Sequence, residues 1–343
     1  MRQLIPLLFV VLIAAACTSS ASDSPSDTAA VQDTTSTTSR ADRTTEVNGA
    51  DSAPPDTGET TPPALADPDL DVGDPGGDMS GLTAERTLGS IGDPTFPGLG
   101  NTGYDVTSYD IALDFTGAEM QGQAVITLTA KRELASLHLD FVGLDIDEIR
   151  IDDEPSLFNR DGRELIIRPG VAIGSGTSVE VFVAYRGTPR PIDTGEGLPF
   201  NLGFQSRAWG TFVASEPIGA ATWFPANDHP QDKALFSFTI TVPPGQTGVG
   251  PGQLVESTQG VDGSTTHRWV AAEPMTTYLA SIATGEFEVS TEVLDSGLVI
   301  RHAVHADALL ATGDELDTTV EMMVEFEAQF GPYPFESYGV LVV

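Results

Sequence analysis

Residues 104–115 read YDVTSYDIALDF. Tyr109, Ile111, Leu113 and Phe115 occupy every second position, with Asp110 and Asp114 between them. Successive side chains of an extended strand point to opposite faces, so this spacing predicts a strand with one face in a core and one in water. The same period returns at Ile126 and Leu128, at Leu137, Leu139 and Phe141, and more weakly from Leu165 to Arg168. It recurs at Val179, Val181, Val183 and Tyr185, and at Phe236, Phe238, Ile240 and Val242. Asp161-Gly162, Pro169-Gly170, Pro244-Gly245 and Asp262-Gly263 supply turn signals between the runs. About ten short strands between residues 101 and 292 predict a mainly β, antiparallel saddle or sandwich.

Toward the C-terminus the period changes after Ala303. Thr312 and Glu315 have capping-box spacing, and Leu316, Val320, Met323, Val324 and Phe330 trace one apolar helical stripe ended by Gly331-Pro332. Residues 338–343 (YGVLVV) read as the opening of a buried strand. Residues 293–343 are therefore expected to be the incomplete start of a second, α/β domain.

Toward the N-terminus, residues 18–100 are Ser, Thr, Asp, Pro, Ala and Gly with few large apolar side chains. Such a stretch cannot offset its ordering entropy and reads as a disordered acidic tether. Asp67, Asp69, Asp71 and Asp78 have the carboxylate spacing of a calcium loop, but Val72 stands where the sharp turn needs Gly, so the run reads as solvated linker. Residues 1–17 pair Arg2 with the apolar run from Leu4 to Ile13, too short to cross a bilayer that needs roughly 20 residues. Ala14, Ala15 and Ala16 lead into Cys17, the one cysteine of the chain, in a pattern that resembles a bacterial lipobox apart from Ala14, where Leu is usual. The expectation is an exported protein held at the cell envelope by a lipid anchor on Cys17 in the outer face of the membrane.

Composition narrows the partners. The chain has 50 Asp plus Glu against 16 Lys plus Arg, a formal net charge of −34, and the acidic excess covers both tether and folded part. That charge repels a phosphate backbone, so nucleic acid is not an expected partner. One cysteine excludes an intramolecular disulfide framework. His302 and His305 are the one close histidine pair, and residues three apart on a strand face opposite sides, so no metal site is read there. His138, between Leu137 and Leu139, is expected on the solvent side.

The densest stretch of uncommon residues is 214–234, ASEPIGAATWFPANDHPQDKA. With Phe236 it resembles the zinc aminopeptidase N family (gluzincin metallopeptidases), through Glu216, Pro217, Ala220, Phe224, Pro225, Asp228, Pro230, Lys233, Ala234 and Phe236. Residues 273–280 (EPMTTYLA) and 330–335 (FGPYPF) resemble later family landmarks in the same order. The resemblance implies an N-terminal β-saddle over residues 101–292, then the start of a thermolysin-like catalytic domain. It also implies peptide substrates trimmed from the N-terminus, and zinc in the complete enzyme. The family's zinc motif, H-E-x-x-H, does not occur in this sequence, so no metal ligand or catalytic residue is assigned and the chain alone is expected to be inactive. One substrate element carries over: Glu216 matches the Glu of a Gln-x-Glu pair that reaches the substrate amine, while Ala214 stands at the Gln position. For Trp223, Phe224 and the loop Asn227–Pro230 core packing and turn chemistry are expected. The alternative reading is a non-catalytic, envelope-tethered β-domain that binds peptides or a protein partner.

Overall fold

The computed structural model describes residues 90–94, 96, 98–192, 201–306, 316 and 318–343. Cys17, the Asp67–Asp78 run, the tether before residue 90 and the Thr312/Glu315 cap lie outside the described residues.

In chain order the strands are β1 (Tyr104–Asp114), β2 (Met120–Ala130), β3 (Leu137–Asp140), β4 (Asp145–Ile151), β5 (Glu154–Pro155) and β6 (Leu157–Asp161). Next come β7 (Glu164–Arg168), β8 (Ser178–Gly187), β9 (Gly203–Arg207), β10 (Gly210–Ala214), β11 (Ala234–Val242) and β12 (Thr247–Val249). The last are β13 (Gln253–Gln259), β14 (Thr265–Met275), β15 (Ala283–Gly285), β16 (Phe287–Val293), β17 (Val299–His305), the helix α1 (Thr318–Phe330) and β18 (Ser337–Val342). Eight strands form the main sheet in the order β13-β14-β11-β1-β2-β8-β4-β5. Smaller sheets run β12-β15-β10-β9, β3-β7-β6 and β16-β17-β18.

The mainly β reading holds, with one refinement. β1 and β11 pair in parallel at the centre of the main sheet, placing Tyr109 beside Phe236 and Ile111 beside Phe238, and β17 and β18 are also parallel. A period of two is common to both pairing modes, so alternation alone does not distinguish them. In β1 the register slips between Val106 and Ser108. Tyr104 and Val106 are buried before this bulge, and Tyr109, Ile111 and Leu113 after it. Without the extra residue one of the two sets would face water.

The core between the sheets is aromatic. Tyr109 stacks on Phe236 with ring centroids 4.8 Å apart, and Phe224 meets Tyr109 edge-on at 5.6 Å. Trp223 lies edge-on to Phe224 at 4.5 Å, and both are fully buried, as the core reading of these two residues anticipates.

Three expectations are corrected. The tether does not run to Gly100: Ser90 bridges Asn101, and Phe96 and Leu99 pack with Ile192, Leu202 and Ile218. These few apolar residues suffice because they cover an existing core instead of forming their own. The apolar stripe of α1 is only partly used. Val320 and Met323 pack with Leu298 and Ile300, whereas Val324 and Phe330 are 58% and 81% exposed, because only the first half of the helix lies on the small sheet. Residues 338–341 are half-buried or exposed, with Val342 buried, since β18 is the edge of its sheet. The boundary expected at 292/293 falls at the last residues of β16, which pairs with β17. Among the described residues no helix is long and apolar enough to cross a membrane.

Candidate functional site

The matched stretch begins at the end of the β9–β10 hairpin, where Ala214 pairs with Gly203. Burial runs through Val213 (buried), Ala214 (half-buried) and Ser215 (buried) to Glu216, which is exposed just beyond the end of β10. The Glu216–Pro217 peptide bond is cis. The backbone from Ser215 to Thr222 is held on all sides. Gly219 N–H donates to Ser215 O at 2.7 Å, and Thr222 Oγ1 donates to Gly219 O at 2.6 Å while accepting from Phe204 N–H at 3.0 Å. Gly203 has φ +92°, and a Cβ there would lie 2.4 Å from Thr222 Oγ1, so this contact admits only glycine. Arg163 Nη2 donates to Ile218 O at 3.2 Å, two residues beyond Glu216.

Arg163 leads to a buried polar cluster that the turn reading of Asn227–Pro230 does not anticipate. Asn227, Asp228 and His229 are 1–2% exposed. Asp140 Oδ2 accepts Asp228 N–H at 3.0 Å and Gly100 N–H at 3.3 Å. Asp228 Oδ1 accepts from Thr277 Oγ1 at 2.7 Å, which ties the 273–280 landmark to the 214–236 stretch. Arg163 Nη2 is 3.6 Å from Asp228 Oδ2, and its Nε is 4.0 Å from Asp140 Oδ1. Asn101 Nδ2 donates to Glu164 Oε2 at 3.2 Å, and Asn101 N–H donates to Asn227 Oδ1 at 2.6 Å. Asn227 Nδ2 donates in turn to Asp232, whose Oδ1 accepts Val106 N–H at 3.2 Å. His229 Nδ1 accepts Gln231 N–H at 3.2 Å, so Nε2 carries the proton and faces Asp93 Oδ2 at 3.4 Å. Together these bonds join four distant segments of chain around one guanidinium.

Burial dominates the protonation of this cluster. Loss of solvent pushes Asp140 up to about 7 against the pull of Arg163, and Glu164 up to about 8 with Asp140 nearby. Asp228 and Asp232 are raised by the same cause. The carboxyls therefore retain protons at a pH where surface acids have lost theirs. His138 is not the solvent-side residue expected from its alternation. Its side chain is 21% exposed with Nδ1 3.8 Å from Glu164 Oε2, because Tyr104 donates to the His138 carbonyl and Asn101 reaches Glu164 from the segment entering β1. Burial, then Arg132 and Arg168, lower its pKa.

These residues do not fit a zinc ion. His302 is half-buried and His305 buried at a different register of β17, opposite Ser290 and Phe287 respectively. His305 packs against Trp209 with ring centroids 4.4 Å apart. Among the described residues no group of three or more His, Cys, Asp or Glu side chains is arranged to hold a metal. What the arrangement offers is an exposed carboxylate on a rigid platform, a natural acceptor for a cationic group.

The chain and its fold have relatives among known proteins. The profile of the Peptidase M1 N-terminal domain matches residues 104–279. The chain is 27% identical over 184 residues to a "Probable aminopeptidase 1" of Saccharolobus solfataricus, covering 54% of this chain and 22% of that protein. It is 24% identical over 249 residues to "Leucine aminopeptidase 2" of Neurospora crassa, covering 69% and 36%. Among solved structures, a mutant M1 zinc metallopeptidase of Deinococcus radiodurans bound to a Tyr-Ser-Ala substrate superposes with TM-score 0.67 at 28% identity, covering 73% of this chain and 59% of that one. Aminopeptidase A of Legionella pneumophila in complex with aspartic acid shares the fold, with TM-score 0.60 at 18% identity. The chain thus spans about a fifth to a third of these curated relatives.

Proposed function

The chain belongs to the peptidase M1 family, whose N-terminal domain it carries over residues 104–279, and from that premise we propose that it is the N-terminal part of a zinc metalloaminopeptidase that removes N-terminal residues from peptides. The observation that carries the reading is the family match together with the rigid loop that presents Glu216 to solvent. In this proposal Glu216 accepts the free ammonium of the peptide. Such a charge-assisted hydrogen bond is about twice as strong as a neutral one. The Deinococcus relative holding a Tyr-Ser-Ala substrate supports a peptide as the ligand class. Zinc and its ligands are assigned to sequence outside the described residues, with residues 293–343 opening the catalytic domain. Export and a lipid anchor on Cys17 complete the proposal, supported by the apolar run from Leu4 to Ile13 and the small residues before Cys17.

The test compares zinc content and leucine-arylamide hydrolysis of this chain with those of the polypeptide extended by its downstream coding sequence. Zinc binding and cleavage by the extended polypeptide alone support the reading. Cleavage by the 343-residue chain itself, or a downstream sequence with no H-E-x-x-H, overturns it. For the anchor, Cys17→Ser is expected to move the protein from the membrane fraction to the soluble fraction.

A further inference from the structure

Glu216 is exposed, yet Ile218, two residues on, is buried and gripped from two sides. Its carbonyl accepts Arg163 Nη2. Its side chain lies in a small apolar cluster of its own with Leu99, Ile192 and Leu202, against which Phe96 packs. Phe96 and Leu99 come from the segment before β1, described over residues 90–94, 96 and 98–101, which forms a strap. Two turns bend it: Phe96 N–H donates to Asp93 Oδ1 at 2.8 Å, and Leu99 N–H to Phe96 O at 3.0 Å. Ile91 N–H donates to Gly100 O at 3.2 Å and closes the strap on itself. Polar contacts pin it to the acid cluster. Gly100 N–H reaches Asp140 Oδ2 at 3.3 Å, Asn101 and Asn227 exchange two hydrogen bonds, and Asp93 Oδ2 faces His229 Nε2 at 3.4 Å. Gly100 has φ +65°, and a Cβ there would lie 2.4 Å from His229 Cβ, so only glycine lets the strap come this close. Apart from one isolated bridge, Ser90 to Asn101, the strap joins no sheet, so side chains and not a ladder hold it over Ile218. Such a segment opens at a lower free energy than a core strand.

We propose that Phe96 and Leu99 are positioning residues for Glu216: the docked strap holds Ile218 in place, and with it the carboxylate two residues earlier. This rests on the reading of Glu216 as the amine acceptor and adds a control on it. Two residues of chain span at most about 7 Å, so a shift of Ile218 passes to Glu216 with little slack. A charge-assisted hydrogen bond is short and directional, and an acceptor that is not already ordered loses affinity to the entropy of ordering it. The strap precedes Glu216 on the side of the chain that carries the proposed anchor. A contact that lifts the strap therefore lowers amine affinity without touching the carboxylate.

The experiment follows hydrogen exchange of the full chain by mass spectrometry and titrates the same proteins by calorimetry with Tyr-Ser-Ala and with its N-acetylated form. Phe96→Ala and Leu99→Ala are expected to speed exchange about ten-fold at Gly219 and Thr222, whose N–H groups close the loop, with β1 unchanged. The same variants should lose about ten-fold in affinity for the free amine and leave binding of the acetylated peptide as in wild type. Phe96→Leu, which refills the apolar contact, should restore both readings. Where Leu99→Ala does not fold, Phe96→Ala carries the test, since Phe96 is only half-buried. Unchanged exchange over residues 215–222, unchanged amine affinity despite faster exchange, or equal weakening of both peptides overturns the role of the strap and leaves Glu216 standing. Exchange that quickens equally in β1 marks general destabilisation and overturns it too. If wild type fails to distinguish the two peptides, the Glu216 reading falls and the strap's role with it.

Discussion

Replacing Arg163 with Met should destabilise the fold by an amount that depends on pH. Arg163 is the guanidinium facing both Asp140 and Asp228, and Asp140 is fully buried. Removing one partner of a buried pair typically costs about 3–5 kcal/mol when the remaining charge must stay ionised. Loss of the Ile218 carbonyl's donor adds about 1–3 kcal/mol, because Ile218 is itself 1% exposed. The carboxyls can escape the first cost by binding protons. Asp140 is pushed up to about 7 and Glu164 to about 8 in the folded protein, above their unfolded values near 4. A folded-state pKa above the unfolded one means that the native state holds more protons, so stability is full below about pH 4 and is lost as pH rises through 7 to 8. Wild type should therefore be more stable at pH 5 than at pH 8. At pH 5 Arg163→Met leaves mostly neutral acids and should cost only about 1–3 kcal/mol, the hydrogen-bond part. At pH 8, one unit above the pKa of Asp140, keeping that acid neutral adds about 1.4 kcal/mol, so the total cost should be larger than at pH 5. Urea unfolding of both proteins at the two pH values, followed by Trp fluorescence, measures this. A cost equal at both pH values, or larger at pH 5, would refute the claim that Arg163 offsets buried carboxylate charge.

Glu164→Gln removes a titrating group while retaining an acceptor for Asn101, so melting curves from pH 5 to 8 should be flatter than wild type, with the gain in stability confined to the alkaline end. Trp223→Ala empties a fully buried position beside Phe224 and should cost about 3–5 kcal/mol in chemical denaturation. Gly203→Ala forces a Cβ to within 2.4 Å of Thr222 Oγ1 at φ +92° and should cost about 1–3 kcal/mol. It should also weaken any peptide affinity that depends on Glu216, measured by calorimetric titration with Tyr-Ser-Ala.

The legible part of the fold was the part whose signal is local. Ile126, Leu137, Val179 and Phe236 each begin a run of period two, and each run is a strand with its apolar face buried. β9 and β10 gave no such signal. Gly203, Gln205, Phe212 and Ala214 share one face with mixed polarity, because that face is half-open and not a core. The exposure of Phe330 was hidden for the opposite reason: its spacing fits a helix stripe, but spacing does not say how far the covering surface extends.

At the site, Glu216 and the aromatic pair Trp223 and Phe224 were visible because their residue types stand in a specific order. Asp140, Glu164 and Asn101 were not, since each looks like an ordinary polar residue in its own neighbourhood. Asn101 and Asn227 are 126 positions apart, Asp140 and Asp228 are 88, and only folding makes them neighbours. Sequence alone determined the strand-rich class, the acidic surface and the family, since side-chain period, charge and ordered motif residues are properties of the chain read in one direction. Tertiary structure alone decided the parallel pairing of β1 with β11 and the burial of the acid cluster around Arg163. Hydrogen bonding and desolvation act between groups near in space, and distance along the chain does not encode that nearness.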